Sequence, residues 1–285
     1  MSLEVKLARL RALLAELPSA LVAFSGGVDS SFLLGVAHEV LGSRCLALTT
    51  VSPATPAEDV ETATRVAGAV GAAHLMVDVD ELAIDGYAAN SANRCFFCKD
   101  HLYTVAAAEA GRRGFAVVLD GVNVDDLADH RPGLRAAADH GVRHLLVEAG
   151  FSKDDIRTAS RALGLSTWDR PASPCLSSRF PYGTRITAER LAQVAAAERF
   201  LRAQGLRELR VRHHEQTARL EVPVADMPRL LVPGVREAVV QELKRLGFAY
   251  VALDLQGFRS GSLNETLVAR KHEGPGDDPP ALRIR

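Results

Sequence analysis

Apolar positions along the first 165 residues fall into short runs that alternate between two periods. Leu7, Leu10, Leu13, Leu14 and Leu17 recur at helical spacing, and Pro18 stops that helix. Residues 21–24 form a short continuous apolar run, the pattern of a strand buried on both faces. Residues 30–41 carry Phe32, Leu33, Leu34, Val36, Ala37 and Val40, a strongly apolar helix, and a second strand is expected at 45–51. The alternation continues with a helix near 57–70, a strand at 74–79, a helix at 98–112 and a strand at 116–120. A helix near 132–140, a strand at 143–147 and a helix at 153–163 complete it. Strands and helices in strict alternation predict the α/β class, a doubly wound parallel sheet.

After Leu165 the texture changes. Residues 168–184 are rich in Pro, Ser and Gly with neither period, which predicts a functional loop and domain junction. Thr187 is a candidate N-cap, one residue short of a capping box with Glu189, for a long Ala-rich helix ending before Gly205. Alternating stretches at 209–213 and 218–222, a helix at 234–246 and a strand at 248–254 follow, a small α+β domain. The expected boundaries are 1–167 for the first domain, 168–186 for the loop, 187–270 for the second domain and 271–285 for a disordered tail. Gly274, Pro275, Gly276, Asp277, Asp278, Pro279 and Pro280 set the character of that tail.

With Lys+Arg 34 against Asp+Glu 35, the net charge is −1, so no basic excess draws the chain onto nucleic acid, and no nucleic-acid partner is expected. The N-terminus lacks a signal-peptide layout and no run approaches the ~18 apolar residues of a membrane span, which points to the cytoplasm. In that reducing compartment Cys45, Cys95, Cys98 and Cys175 call for packing, metal binding or catalysis rather than disulfides. Cys45 lies in an apolar strand pattern and reads as core.

Ser25-Gly26-Gly27-Val28-Asp29-Ser30 stands where the first strand runs into a helix. Two glycines there expose backbone N–H groups to anionic oxygens with no Cβ in the way. Ser25 and Ser30 add hydroxyl donors, and Asp29 suits Mg²⁺ bridging phosphates. The spaced glycines and Gly-Lys ending of a Walker A loop are absent. The alternative is a plain Gly-Gly turn with Asp29 and Ser30 capping the helix. The motif resembles the PP-loop of the ATP pyrophosphatases, which include NAD synthetase, GMP synthetase and tRNA-thiolation enzymes. The resemblance implies attack of a carboxylate or carbonyl oxygen on the α-phosphorus of ATP, giving an adenylated substrate and pyrophosphate.

Cys95-Phe96-Phe97-Cys98 stands just ahead of the helix expected at 98–112, with Arg94 and Lys99 beside it. Cys175 lies in Pro171-Ala172-Ser173-Pro174-Cys175-Leu176-Ser177-Ser178-Arg179. Three sulfurs from two loops invite a metal centre with one open position. A zinc site completed by His101, a redox pair and three unligated thiols are the alternatives. Residues 170–184, with Asp120-Gly121-Val122-Asn123-Val124-Asp125-Asp126 and His130-Arg131-Pro132-Gly133, resemble the LarE family of sulfur transferases, which make the nickel-pincer nucleotide cofactor. The likeness runs over roughly residues 5–270. It implies that a nicotinate-derived mononucleotide dicarboxylate is adenylated and that sulfur displaces AMP to give a thiocarboxylate. It also implies homo-oligomers, hexamers in particular, and does not name the sulfur donor. In the family the cysteine matching Cys175 bears the sulfur. Some members sacrifice it, leaving dehydroalanine; in members with a Cys-x-x-Cys the three cysteines, here Cys95, Cys98 and Cys175, resemble ligands of a [4Fe-4S] cluster carrying a sulfide.

The remaining candidates are weaker patterns. Asp126, with Asp125, follows a strand end and could hold Mg²⁺ or substrate, or cap the next helix. Arg179 or iron is expected to lower the Cys175 pKa, making its thiolate a competent nucleophile or ligand. Arg210 and Arg212 share one strand face and could grip a substrate phosphate, with Glu198 a similar case; a solvated face is the alternative. Trp168 reads as core packing, and His213 and His214 as surface residues. The rival functions are a tRNA thiolase, an amide-forming synthetase and a non-catalytic nucleotide-binding module.

Overall fold

A computed structural model describes residues 1–128, 132–171, 173–259 and 261–264. The chain divides into two compact units, Met1–Ala195 and Ala196–Arg285. His130, Arg131 and the tail at 271–285 lie outside the described residues. Among the described residues no helix is long and apolar enough to cross a membrane.

In the first unit, helix α1 (Leu3–Ala15) precedes strand β1 (Ala20–Ala23), and α2 (Val28–Leu41) leads to β2 (Cys45–Val51). Then come α3 (Ala57–Val70), β3 (Ala73–Asp78), the short α4 (Asp85–Ala88), α5 (Arg94–Arg113) and β4 (Val117–Leu119). Helices α6 (Pro132–Asp139), α7 (Leu145–Glu148) and α8 (Lys153–Ala162) follow. The four strands are all parallel in the order β3-β2-β1-β4. Every residue of β1 is buried, because Ala20 and Val22 pack on one face of the sheet while Leu21 and Ala23 pack on the other. This is the expected doubly wound parallel sheet.

Two expectations fail locally. The strand expected at 143–147 is reduced to one parallel bridge between Leu119 and Arg143, after which residues 145–148 wind into α7 with Leu145 and Leu146 fully buried. A short apolar run has no period that separates strand from buried helix, and Gly150 at φ 81° supplies the left-handed turn that follows. The Cys-x-x-Cys does not precede its helix: α5 begins at Arg94, so Cys95 and Cys98 stand in its first turns, three residues apart and on one face.

In the second unit, a hairpin of β5 (Arg210–His214) and β6 (Thr217–Glu221) is extended by β7 (Tyr250–Leu253), which pairs parallel to β6. The parallel return requires a crossover, and α10 (Met227–Leu231) and α11 (Val235–Arg245) supply it. The long helix α9 (Ala188–Ala203) is capped as expected, the Arg190 N–H donating to Thr187 Oγ1 at 3.3 Å. Leu206, Val211, Leu220, Leu243 and Phe248 form this unit's core. His213 belongs beside that core, 2% exposed and 5.5 Å from the Phe248 ring, which corrects its surface assignment; His214 is exposed.

Candidate active site

Chain order reverses between β1 and β4, and the connections leaving their C-terminal ends open a crevice there. The loop after β1 is Ser25 to Gly27, and it enters α2 with Gly27 as N-cap at φ −74°. Gly26 sits at φ 70°, and a Cβ on it would stand 2.8 Å from the Ala63 backbone nitrogen of α3. Both facts require glycine. Ser25 Oγ and Ser30 Oγ lie 3.1 Å apart, and the Gly27 N–H donates to Ser25 Oγ at 3.3 Å. The positive end of α2 therefore stands at this glycine turn, as an anionic ligand needs.

Across the crevice, Gly121 touches this loop so closely that a Cβ would meet the Ser30 backbone nitrogen at 2.8 Å. Asn123 Nδ2 donates to Asp29 Oδ1 at 3.4 Å, and Lys153, the first residue of α8, sets its ammonium on Asp29 Oδ2 at 2.5 Å. Asp29, the Mg²⁺ candidate, is thus ion-paired. Lys153 carries no sequence signal of its own, since its partner lies 124 residues away. Asp125 Oδ2 accepts the Lys153 backbone N–H at 2.8 Å and Asp126 Oδ2 accepts the Asn123 N–H at 3.1 Å. Asp125 therefore adds to the N-terminal cap of α8, whose N-cap residue is Ser152.

Behind this crevice wall, Asp120 is buried between the Tyr103 hydroxyl and His144 Nδ1, each at 2.6 Å. Burial pushes the Asp120 carboxyl up, but the His144 hydrogen bond and charge bring it below the ordinary range. The same hydrogen bond raises His144. The pair stabilises the fold above the unfolded Asp value and loses this as pH falls through the depressed Asp120 value. On the alkaline side the contribution is complete below the unfolded His value and is lost as pH rises through the raised one. Replacing His144 with alanine is expected to cost about 2 kcal/mol at pH 6 in urea unfolding, and clearly less at pH 9. Equal losses at both pH values would remove the ion pair from this account.

The 170s segment is docked on residues 52–59 and 87–94. Arg170 Nη1 donates to the Gly26 carbonyl at 2.9 Å, and its Nη2 to Asp59 Oδ1 at 2.6 Å. The Leu176 N–H donates to the Ala54 carbonyl at 2.9 Å. Buried Asn90, at φ 53°, donates to the Pro181 carbonyl at 2.8 Å and accepts from Arg94. Arg94 also donates to the Ser177 carbonyl at 2.8 Å, and Tyr87 OH lies 2.6 Å from Ser177 Oγ. Leu176, Phe180, Ile186, Leu191 and Val194 pack around Tyr87, which makes the part of the segment from Leu176 onward part of a core.

Cys175 is thereby brought beside Cys95, Cys98 and Glu81. Burial pushes the Cys175 thiol up; Arg94 opposes this most, while the Cys95 and Glu81 charges add to it and Arg179 opposes it less. Arg179 acts on this thiol in the expected direction, but burial outweighs it and the net shift is upward. Arg179 also donates to the Pro174 and Cys175 carbonyls, at 2.8 and 3.3 Å, which braces the loop backbone. In the sequence Arg94 stands beside the Cys-x-x-Cys with no part assigned to it in the Cys175 electrostatics; its adjacency to Cys95 was the available signal. The Cys98 thiol, donating to Glu81 Oε1 at 2.9 Å, is raised by burial first and by the Glu81 charge next.

A thiol cluster suits soft iron or zinc. Among the described residues, however, no three His, Cys, Asp or Glu side chains converge as ligands of one ion. A cluster is broader, its thiolates on different irons, and three neighbouring thiols match its donor chemistry. Cys45 is plain core, 1% exposed, its thiol pushed up to about 12 by burial. Trp168 is not core: it is 37% exposed and lies under the Arg161 guanidinium at 5.0 Å.

In the second unit both faces of β5 are buried, so the solvated-face alternative for Arg210 and Arg212 does not hold. Arg212 pairs with Glu221 at 2.9 Å and Ser262 Oγ at 2.6 Å, and Arg210 lies 4.6 Å from the Phe258 ring centroid. Glu198 is fully buried, accepting the Val211 N–H at 3.1 Å and pairing with Arg202. These contacts tie Glu198 and the arginines into the unit's own framework.

The asparagine synthase family model matches residues 11–224. A pyridinium-3,5-bisthiocarboxylic acid mononucleotide synthase of Lactiplantibacillus plantarum is 41% identical over 268 residues, 94% of this chain and 96% of that protein. An uncharacterised protein of Synechocystis is 45% identical over 266 residues, 93% and 99% of the two chains. Another, from Methanocaldococcus jannaschii, is 27% identical over 240 residues, 84% and 90%. The glycine-bound phosphate loop at the sheet's switch point, together with these matches along almost the whole length, shows that the chain belongs to the LarE family of ATP-dependent sulfur transferases, within the PP-loop fold family of asparagine synthase.

Proposed function

We propose that the protein adenylates a ring carboxylate of a pyridinium dicarboxylate mononucleotide and replaces AMP with sulfur, giving a thiocarboxylate. One observation carries this reading: Cys175, on the segment fastened to the phosphate loop through Arg170, lies within electrostatic reach of Cys95 and Cys98 on α5. Ser25, Gly26, Gly27 and Ser30 would hold the triphosphate and Asp29 the Mg²⁺ that accompanies it, with Lys153, now paired to Asp29, as the nearby cation. Adenylation turns a poor leaving oxygen into a good one, and position and electrostatics do most of the rest.

The Cys98 and Cys175 thiols, held above their ordinary range, stay protonated near neutral pH unless a metal takes the proton's place. With Cys95 beside them, they would be ligands of a [4Fe-4S] cluster, which when bound supplies a sulfide for the activated carbon. Arg94 would then balance the thiolate charge, and the thiol protons would go to solvent.

Oxygen-free purification is expected to yield about four irons and a matching amount of acid-labile sulfide per chain. The Cys95→Ser, Cys98→Ser double variant is expected to lose the iron and to make no more than one thiocarboxylate per chain. Repeated turnover without iron would overturn the cluster; zinc in its place would redirect the sulfur chemistry. Pyrophosphate release that responds to added tRNA and not to the mononucleotide would overturn the substrate.

A further inference from the structure

The phosphate loop and the cysteine segment share one scaffold, the connection from β2 into α3. Asp59, in the first turn of α3, accepts Arg170 Nη2 at 2.6 Å on Oδ1, and Ser173 Oγ lies 3.0 Å from each of its oxygens. The same Arg170 reaches the Gly26 carbonyl with its other nitrogen. One turn further along α3, the Ala63 backbone lies against Gly26. Cys175 is thus held two residues upstream by Ser173 on Asp59, and one residue downstream by Leu176 on Ala54. The Asp59 and Arg170 side chains are 14% and 20% exposed, so their charge-assisted bonds are sheltered from water.

We propose that Asp59 is the positioning residue that couples adenylation to sulfur transfer, by locking the Cys175 segment to the phosphate loop. The inference rests on the function proposed above. In the second half-reaction the acyl carbon–oxygen bond to phosphate breaks and AMP leaves with the electron pair. A carbon–sulfur bond forms from sulfur at the sulfide level, which gives its proton to solvent; no oxidant or reductant is consumed. Water attacking the same carbon returns the carboxylate and AMP, and ATP is spent without product. Which of the two arrives depends on where Cys175 stands, and Asp59 acts on that through its bonds to Arg170 and Ser173.

The test uses the full-length iron-loaded protein with MgATP, the pyridinium dicarboxylate mononucleotide and sodium sulfide. Mononucleotide-dependent ATP–pyrophosphate exchange reports the first half-reaction, and thiocarboxylate formed per pyrophosphate released reports coupling. Asp59→Ala is expected to keep exchange within about 3-fold while the coupling ratio falls about tenfold or more, the scale of a small misplacement of reacting groups. Ser173→Ala, which keeps the Asp59–Arg170 pair, is expected to lower the ratio by about 3-fold. A merely structural Asp59 would reduce both readouts in step. An unchanged ratio in Asp59→Ala, or a parallel fall, overturns the inference, and if that variant does not fold, an unchanged ratio in Ser173→Ala does so. Absence of mononucleotide-dependent exchange in the unaltered protein would instead remove the proposed function itself, before either variant is compared.

Discussion

Alanine in place of Gly26 is expected to reduce mononucleotide-dependent pyrophosphate release by at least about 100-fold. Two costs act together. At φ 70° a residue with a Cβ loses about 1–2 kcal/mol relative to glycine. The added carbon would also stand 2.8 Å from the Ala63 nitrogen and 3.0 Å from its Cα, atoms of a packed helix that cannot swing aside as a side-chain tip does. The loop must therefore move, and its N–H groups leave the positions from which they meet the phosphates. Gly121→Ala presses on the same loop from β4, through Ser30, and is expected to act in the same direction. Gly27 provides the contrast: at φ −74° its new Cβ would meet only Ser25 Oγ, at 3.3 Å, so Gly27→Ala should leave the unfolding free energy within about 1 kcal/mol of the original. If Gly26→Ala cleaves ATP normally, the loop is not the nucleotide site.

Serine at position 175 is expected to separate the two half-reactions. The segment is held through its backbone: Leu176 N–H on Ala54, Arg179 on the Pro174 and Cys175 carbonyls, and Arg94 on the Ser177 carbonyl. Exchanging sulfur for oxygen disturbs none of these contacts. ATP–pyrophosphate exchange should therefore persist within a few-fold, while thiocarboxylate formation falls by at least about 10³-fold, the scale seen when a reacting group is removed. Full activity in this variant would support an amide-forming synthetase and sink the sulfur reading. Loss of both steps together would place Cys175 in nucleotide binding instead.

The parallel sheet was legible because a strand buried on both faces reads as an unbroken apolar run, as in β1 and β2. The fifth strand was misread because residues 143–147 are too short to show a period, and the burial of Leu145 and Leu146 satisfies either conformation. His213 was misplaced because its environment comes from Phe248, on a connection 35 residues away that no local pattern reveals. The phosphate loop could be located to the residue, since its chemistry needs glycines adjacent in sequence.

From the sequence alone came everything that depends on neighbours along the chain: the alternation of elements, the glycine loop at the end of β1, the pairing of Cys95 with Cys98, and the loop-like texture around Cys175. Tertiary structure alone decided which charges face which groups. Arg94 and not Arg179 is the main cation opposing the burial of Cys175; Lys153 meets Asp29 across 124 residues, and Arg170 meets Asp59 across 111. The physical reason is range. Helical and strand periods and turn stereochemistry act over a few residues, whereas an ion pair forms wherever the fold brings two side chains within about 3 Å, and the linear order of residues carries no trace of that meeting.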